Sequence, residues 1–87
     1  MHAVVVKSTI DDLDEGRAFL REEAIPLVSQ APGFVAAYWI TLEGNQGLSV
    51  LVFESEGTAR SMAAQVGAPS GAVTNASIEV GEVVEHI

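Results

Sequence analysis

The sequence predicts an α+β domain in the order β-α-β-β-α-β, and three observations predict it. Residues Phe34 to Phe53 read as two apolar strands joined by Glu43-Gly44-Asn45-Gln46-Gly47, because glycine and asparagine tolerate the positive φ angles of hairpin loops. Two stretches, after Ile10 and after Ser55, change from the two-residue period of strands to the 3.6-residue period of helices. Short runs that are β-branched or alternating, Ala3 to Ser8 and Val73 to Ile87, stand at the two ends. The 87 residues make one domain, 1–87, and a chain of this size buries only about 60–65% of the surface its unfolded form exposes.

The first strand is AVVVKS, Ala3 to Ser8, and its Lys7 is the only basic residue in any predicted strand. Thr9, Asp11 and Asp12 then offer N-caps, and Asp11, Asp12, Asp14 and Glu15 suit the positive end of a helix dipole. A helix therefore starts here. Leu13, Leu20, Ala24, Leu27, Val28 and Ala31 fall on one buried stripe of it. Phe19 lies on the flank of that stripe; the sharper reading makes it a pocket lining or a subunit contact. Pro26 sits inside the pattern, where it removes a backbone donor and clashes with the carbonyl of Glu22, so a kink or break is predicted. Ala31-Pro32-Gly33 ends the helix.

The first hairpin arm carries Phe34, Ala36, Tyr38, Ile40 and Leu42 on one face and Val35, Ala37, Trp39 and Thr41 on the other. The second, Leu48 to Phe53, is apolar on both faces, as in a strand buried from two sides. Ser55 caps a second helix, with Glu56 in its first turn and Ala59, Met62, Ala63 and Val66 on one face. Such small residues let a helix approach a sheet closely, or they leave room for a guest. Gly67 to Gly71 is a loop by composition. The last strand runs from Val73 to Ile87, with Gly81 marking a bulge or bend and Glu79 and Glu85 on a solvated edge.

This order is the split βαβ pattern of ferredoxin-like folds: a four-stranded antiparallel sheet, order 4-1-3-2, with two helices on one face. The uncovered face would expose more apolar area than the few hundred Å² that soluble monomers usually show. A homodimer in which two sheets pack face to face, burying on the order of 800 Å² per subunit, is the economical solution.

Composition narrows the function. Twelve acidic residues against four basic ones give a net charge of −8, which repels phosphate backbones and anionic membranes, so no nucleic-acid or membrane partner is expected. The absence of cysteine excludes a disulfide, a thiolate metal site and a thiol nucleophile. Met1 to Val6 lacks the basic start of a signal peptide, and no stretch reaches transmembrane length, so the expected location is cytoplasmic.

Pro26 before Pro32-Gly33-Phe34, then the hairpin, then Val52-Phe53-Glu54-Ser55-Glu56 leading into the second helix together resemble the antibiotic biosynthesis monooxygenase group of dimeric α/β-barrel proteins, over nearly the whole chain. The resemblance implies a homodimeric barrel, a ligand cavity in each subunit between helices and sheet, and cofactor-independent oxidation of an aromatic phenol or quinol. In that chemistry an electron-rich phenol is deprotonated in an apolar pocket and the carbanion gives an electron to oxygen. No cofactor and no metal are expected. The group also includes haem-degrading enzymes, which rely on an asparagine early in the first strand, a tryptophan and a histidine of the second helix. This chain has no asparagine in its first strand, no histidine between Glu56 and Val66, and Phe53 where tryptophan is frequent.

Few side chains carry chemistry, and the sequence assigns no catalytic residue. Adjacent Tyr38 and Trp39 point to opposite sides of their strand, one toward the helices and the other toward the dimer partner, and alternation does not decide which. With Phe53 and Met62 they are the candidate ligand-binding residues; the plainer reading makes all four core or interface side chains. His2 and His86 meet if the first and last strands pair along their full length, and Glu82 would complete a metal site; exposure at the two termini is the simpler reading. No G-x-S-x-G turn and no phosphate-loop lysine are present. Two functions follow: a small oxygenase of an apolar aromatic molecule, or a non-catalytic dimeric module that binds a small ligand or supports an assembly.

Overall fold

The computed structural model describes residues 1–66 and 73–87; the predicted loop Gly67 to Gly71 lies outside the described residues. The elements are β1 (His2–Ile10), α1 (Leu13–Phe19), a π-helical turn (Leu20–Ala24), α2 (Ile25–Ser29), β2 (Phe34–Leu42), β3 (Gln46–Phe53), α3 (Glu56–Gln65) and β4 (Val73–Glu82). The strands form one antiparallel sheet in the order β2-β3-β1-β4, the ferredoxin-like arrangement that the sequence predicts. β1 is central, and its even-numbered valines Val4 and Val6 are 0% and 4% exposed. They pack with Val28, Leu51, Phe53, Ala59 and Met62 into the core.

The helix starts are set by side-chain caps. Asp12 Oδ1 accepts the N–H of Glu15 at 3.1 Å, and Ser55 Oγ accepts the N–H of Thr58 at 3.3 Å. Each satisfies a donor that the first helical turn cannot. Pro26 does not end the first helical run. The turn before it widens, the Ile25 N–H donating to the Leu20 carbonyl, and Pro26 falls in the first turn of α2, where a missing N–H costs least. The run closes at Gln30, and Gly33 turns the chain into β2 with φ 75°. In the hairpin, Gly44 and Asn45 take φ 75° and 61°.

Three sequence expectations are corrected here. Phe34 pairs with Phe53 whereas Ala36 pairs with Val52, so Val35 is an extra residue in β2. The bulge turns Phe34 out of the alternation it would share with Ala36 and Tyr38. It joins the core side, its ring 6.2 Å edge-on from Phe53. The second bulge is not at Gly81, which pairs regularly with Ala3; Lys7 opposes Ser77 while Ser8 opposes Asn75, which leaves Ala76 as the extra residue. β4 ends at Glu82 and not at Ile87, because β1 begins at His2, the partner of Glu82. Beyond that pair one bond remains, from the Val83 N–H to the Met1 carbonyl at 2.9 Å.

The helices lie on one face. On the other, cross-strand neighbours Tyr38, Val50 and Val5 make an apolar row that ends at Glu79 of the edge strand. Tyr38 is 62% exposed, and Leu42 of the same strand is 47% exposed.

Candidate ligand cavity between helices and sheet

The helical face of the sheet is uneven. At one end Val4, Leu51 and Phe53 are bulky and meet α3 directly through Ala59 and Met62. At the other end the same face carries short side chains, with Ser8 opposite Gly47 and Val6 opposite Ser49. Gly47 is buried, and a Cβ there would come within 3.0 Å of Ile10 Cδ1. α1 and the π turn pass over this end without filling it, and a cavity of about 500 Å³ results.

Its floor is Val6, Ser8, Ile10, Gly47, Ser49 and Leu51, with Trp39 and Thr41 from β2. Leu13, Phe19, Leu20, Ala24 and Leu27 form its roof, and Gln65 and Val66 lie at the end of α3. Apolar surface dominates this lining, and its polar residues are Ser8, Ser49 and Thr41 with hydroxyls, Gln65 with an amide, Trp39 with its indole N–H, and the charged Arg17 and Glu23. Both charged residues are exposed. Such a site, mostly apolar with a few polar groups, suits an organic ligand of moderate size.

The predicted residues separate. Trp39 lines the cavity, so it is the member of the adjacent pair that faces the helices. Tyr38 stands on the opposite face of the sheet. Phe53 and Met62 are 0% and 2% exposed in the core and do not contribute to the lining. Met62 instead underlies a smaller depression of about 250 Å³ beside Leu27 and Pro32. Phe19 takes the sharper of its two readings, and the leucines of the predicted buried stripe are roof residues: Leu13 and Leu27 remain 45% and 44% exposed. Sequence reasoning passed over Arg17, Gly47 and Ser49. A usable signal was present in the small residues Ser8, Gly47 and Ser49, which collect on one face once the strands are paired.

Neither histidine lines the cavity. His2 opposes Phe53 and Glu82, away from the cavity lining, and His86 lies four residues past the end of β4. Among the described residues no three of His, Cys, Asp and Glu are grouped as metal ligands. Glu56 also lies outside the cavity: Arg60, bonded to it at 2.9 Å, holds its carboxyl below the usual glutamate value.

No protein-family model matches the sequence, and no curated protein matches it. Among solved structures the chain is similar to a point variant of MhuD with two manganese protoporphyrin IX bound per active site, with a TM-score of 0.69 and 18% identity over 100% of this chain and 98% of that one. It is also similar to the heme-degrader MhuD from Mycobacterium tuberculosis with two hemes in its active site, with a TM-score of 0.60 and 21% identity over 98% of both chains. At these identities the likeness is one of fold, and the shared ferredoxin-like fold spans the whole of this chain.

Proposed function

We propose that this chain is a small homodimeric protein of the antibiotic biosynthesis monooxygenase-like, dimeric α/β-barrel group, whose helix–sheet cavity holds a flat apolar aromatic molecule. The observation that carries the reading is the cavity of about 500 Å³ with Trp39, the only tryptophan of the chain, in its floor. Trp39 gives an aromatic ligand a face to stack on, and offset stacking contributes about 0.5–1.5 kcal/mol beyond area burial. Phe53 and Met62 act from behind, holding the sheet and α3 in place. Tyr38 serves the dimer: two copies of the open face cover one another, which removes the exposed apolar row from water. The cysteine-free, acidic composition fits a cytoplasmic setting.

Two activities share this site. In the oxygenase reading the ligand is a phenol or quinol that loses a proton and passes an electron to oxygen, without a cofactor. The non-catalytic reading is favoured by one observation: the carboxylate of the lining, Glu23, is an exposed side chain, whereas phenol deprotonation needs a base held within reach of the hydroxyl inside the apolar pocket. Oxygen uptake by the purified protein against polycyclic phenols and hydroquinones decides between them. Saturable uptake that Trp39→Phe reduces and Tyr38→Phe leaves unchanged establishes the oxygenase and its pocket. Uptake no faster than the protein-free rate leaves the binding module.

A further inference from the structure

The structural neighbours hold metalloporphyrins, so the cavity can be tested for fit to a haem. A haem iron is held by a histidine, cysteine, methionine or tyrosine. The lining contains none of these: Tyr38 is on the far face, Met62 is in the core, and neither histidine lines the cavity. The donor set therefore does not fit an iron porphyrin, and the ligand must be recognised by something other than a metal bond.

Arg17 supplies the alternative. It is one of four basic residues in a chain of net charge −8 and the only one of the four that lines the cavity. Among the described residues the salt bridge formed is Arg60 to Glu56, and Arg17 takes part in none. Arg17 is exposed and borders an apolar chamber. A guanidinium presents two parallel N–H donors that match a carboxylate. Without such a cation, the field of an acidic protein would turn an anionic ligand away. Glu23, on the same lining, works against an anion and sets the sign of a second test.

We infer that the natural ligand is a metal-free aromatic acid, its rings in the cavity against Trp39 and its anionic group held at the mouth by Arg17. This rests on the cavity reading above, and the experiment separates the two. The single tryptophan lies in the site, so its fluorescence reports binding directly. The probes are an anthracene carboxylate and the matching anthracene methanol, which differ in charge. Wild type should bind the carboxylate about three- to tenfold more tightly, the range of a charge-assisted bond weakened by solvent. Arg17→Gln should abolish the preference by weakening the carboxylate, and Glu23→Gln should widen it. Equal affinities in wild type, or a preference that survives Arg17→Gln, overturns the assignment. If neither probe quenches Trp39, the cavity reading falls and takes the assignment with it; the alcohol, which needs only the cavity, makes that failure distinct. Haemin and metal-free protoporphyrin complete the test. Similar affinities are expected, and an absorption spectrum of nitrogen- or sulfur-ligated iron would overturn the metal-free part.

Discussion

The open face of the sheet offers the sharpest perturbation. Tyr38 is 62% exposed there, and a tyrosine side chain presents about 150–250 Å² in all. Covering what remains removes roughly 100–150 Å² from water, a gain of about 2.5–4 kcal/mol per copy as an upper estimate. In the proposed dimer a twofold axis counts the side chain twice, so Tyr38 alone would offset a large part of the rotational and translational cost of association. Tyr38→Asp discards that area and places a carboxylate beside Val50, its cross-strand neighbour, in the apolar row that Val5 continues. The dimer dissociation constant should rise by at least about a thousandfold, equivalent to roughly 4 kcal/mol. Sedimentation equilibrium measures it, and far-UV circular dichroism checks that the sheet persists. A wild-type protein that stays monomeric at high micromolar concentration, or a Tyr38→Asp variant that dimerises as tightly as wild type, refutes the reasoning.

Other perturbations test the fold that positions the cavity. Phe53→Ala empties a fully buried site against Phe34 and should cost about 3–5 kcal/mol in urea unfolding, a large share of the roughly 5–15 kcal/mol of a small domain. Gly33→Ala and Gly44→Ala both force an L-residue to φ 75°, but only at Gly33 does the new Cβ meet a neighbour, Thr58 Oγ1 at 3.3 Å. Both should lose about 1–2 kcal/mol, and a larger loss at Gly33 measures the added contact. Arg60→Gln tests the Glu56 ion pair. Because Arg60 lowers the folded-state pKa of Glu56, the pair stabilises above the usual glutamate range and its contribution is lost as pH falls through the folded value. The difference in melting temperature between wild type and Arg60→Gln should therefore be small at neutral pH, reduced by salt, and absent in strong acid.

Much of this architecture is legible in the sequence because local chemistry decides it. Ser55 and Asp12 have the short oxygen side chains that cap helices, and both cap one. Gly44-Asn45 has the residues that a left-handed turn needs, and both adopt it. The bulges at Val35 and Ala76 are not legible, since neither position carries a glycine, and each shows only once the strands are paired. The end of β4 is hidden for a related reason. Val83 and Val84 suit a strand, but a strand lasts only as long as its partner, and β1 has none to offer beyond His2.

The cavity itself shows where periodicity stops being informative. Leu13, Leu20 and Leu27 have the spacing of a buried stripe, yet they roof a chamber. A helix that faces a core and a helix that faces a cavity have the same apolar period; what differs is the volume of the residues across from them. Those are Ser8, Gly47 and Ser49, brought together only by the pairing of β1 with β3. The same pairing settles Trp39. Both faces of β2 are apolar, so alternation carries no parity, but Trp39 stands opposite Ser49 and Ser49 opposite Val6, which is buried under the helices. The cavity thus follows from register: it lies where Ser8, Gly47 and Ser49 come together beneath the leucines that roof it.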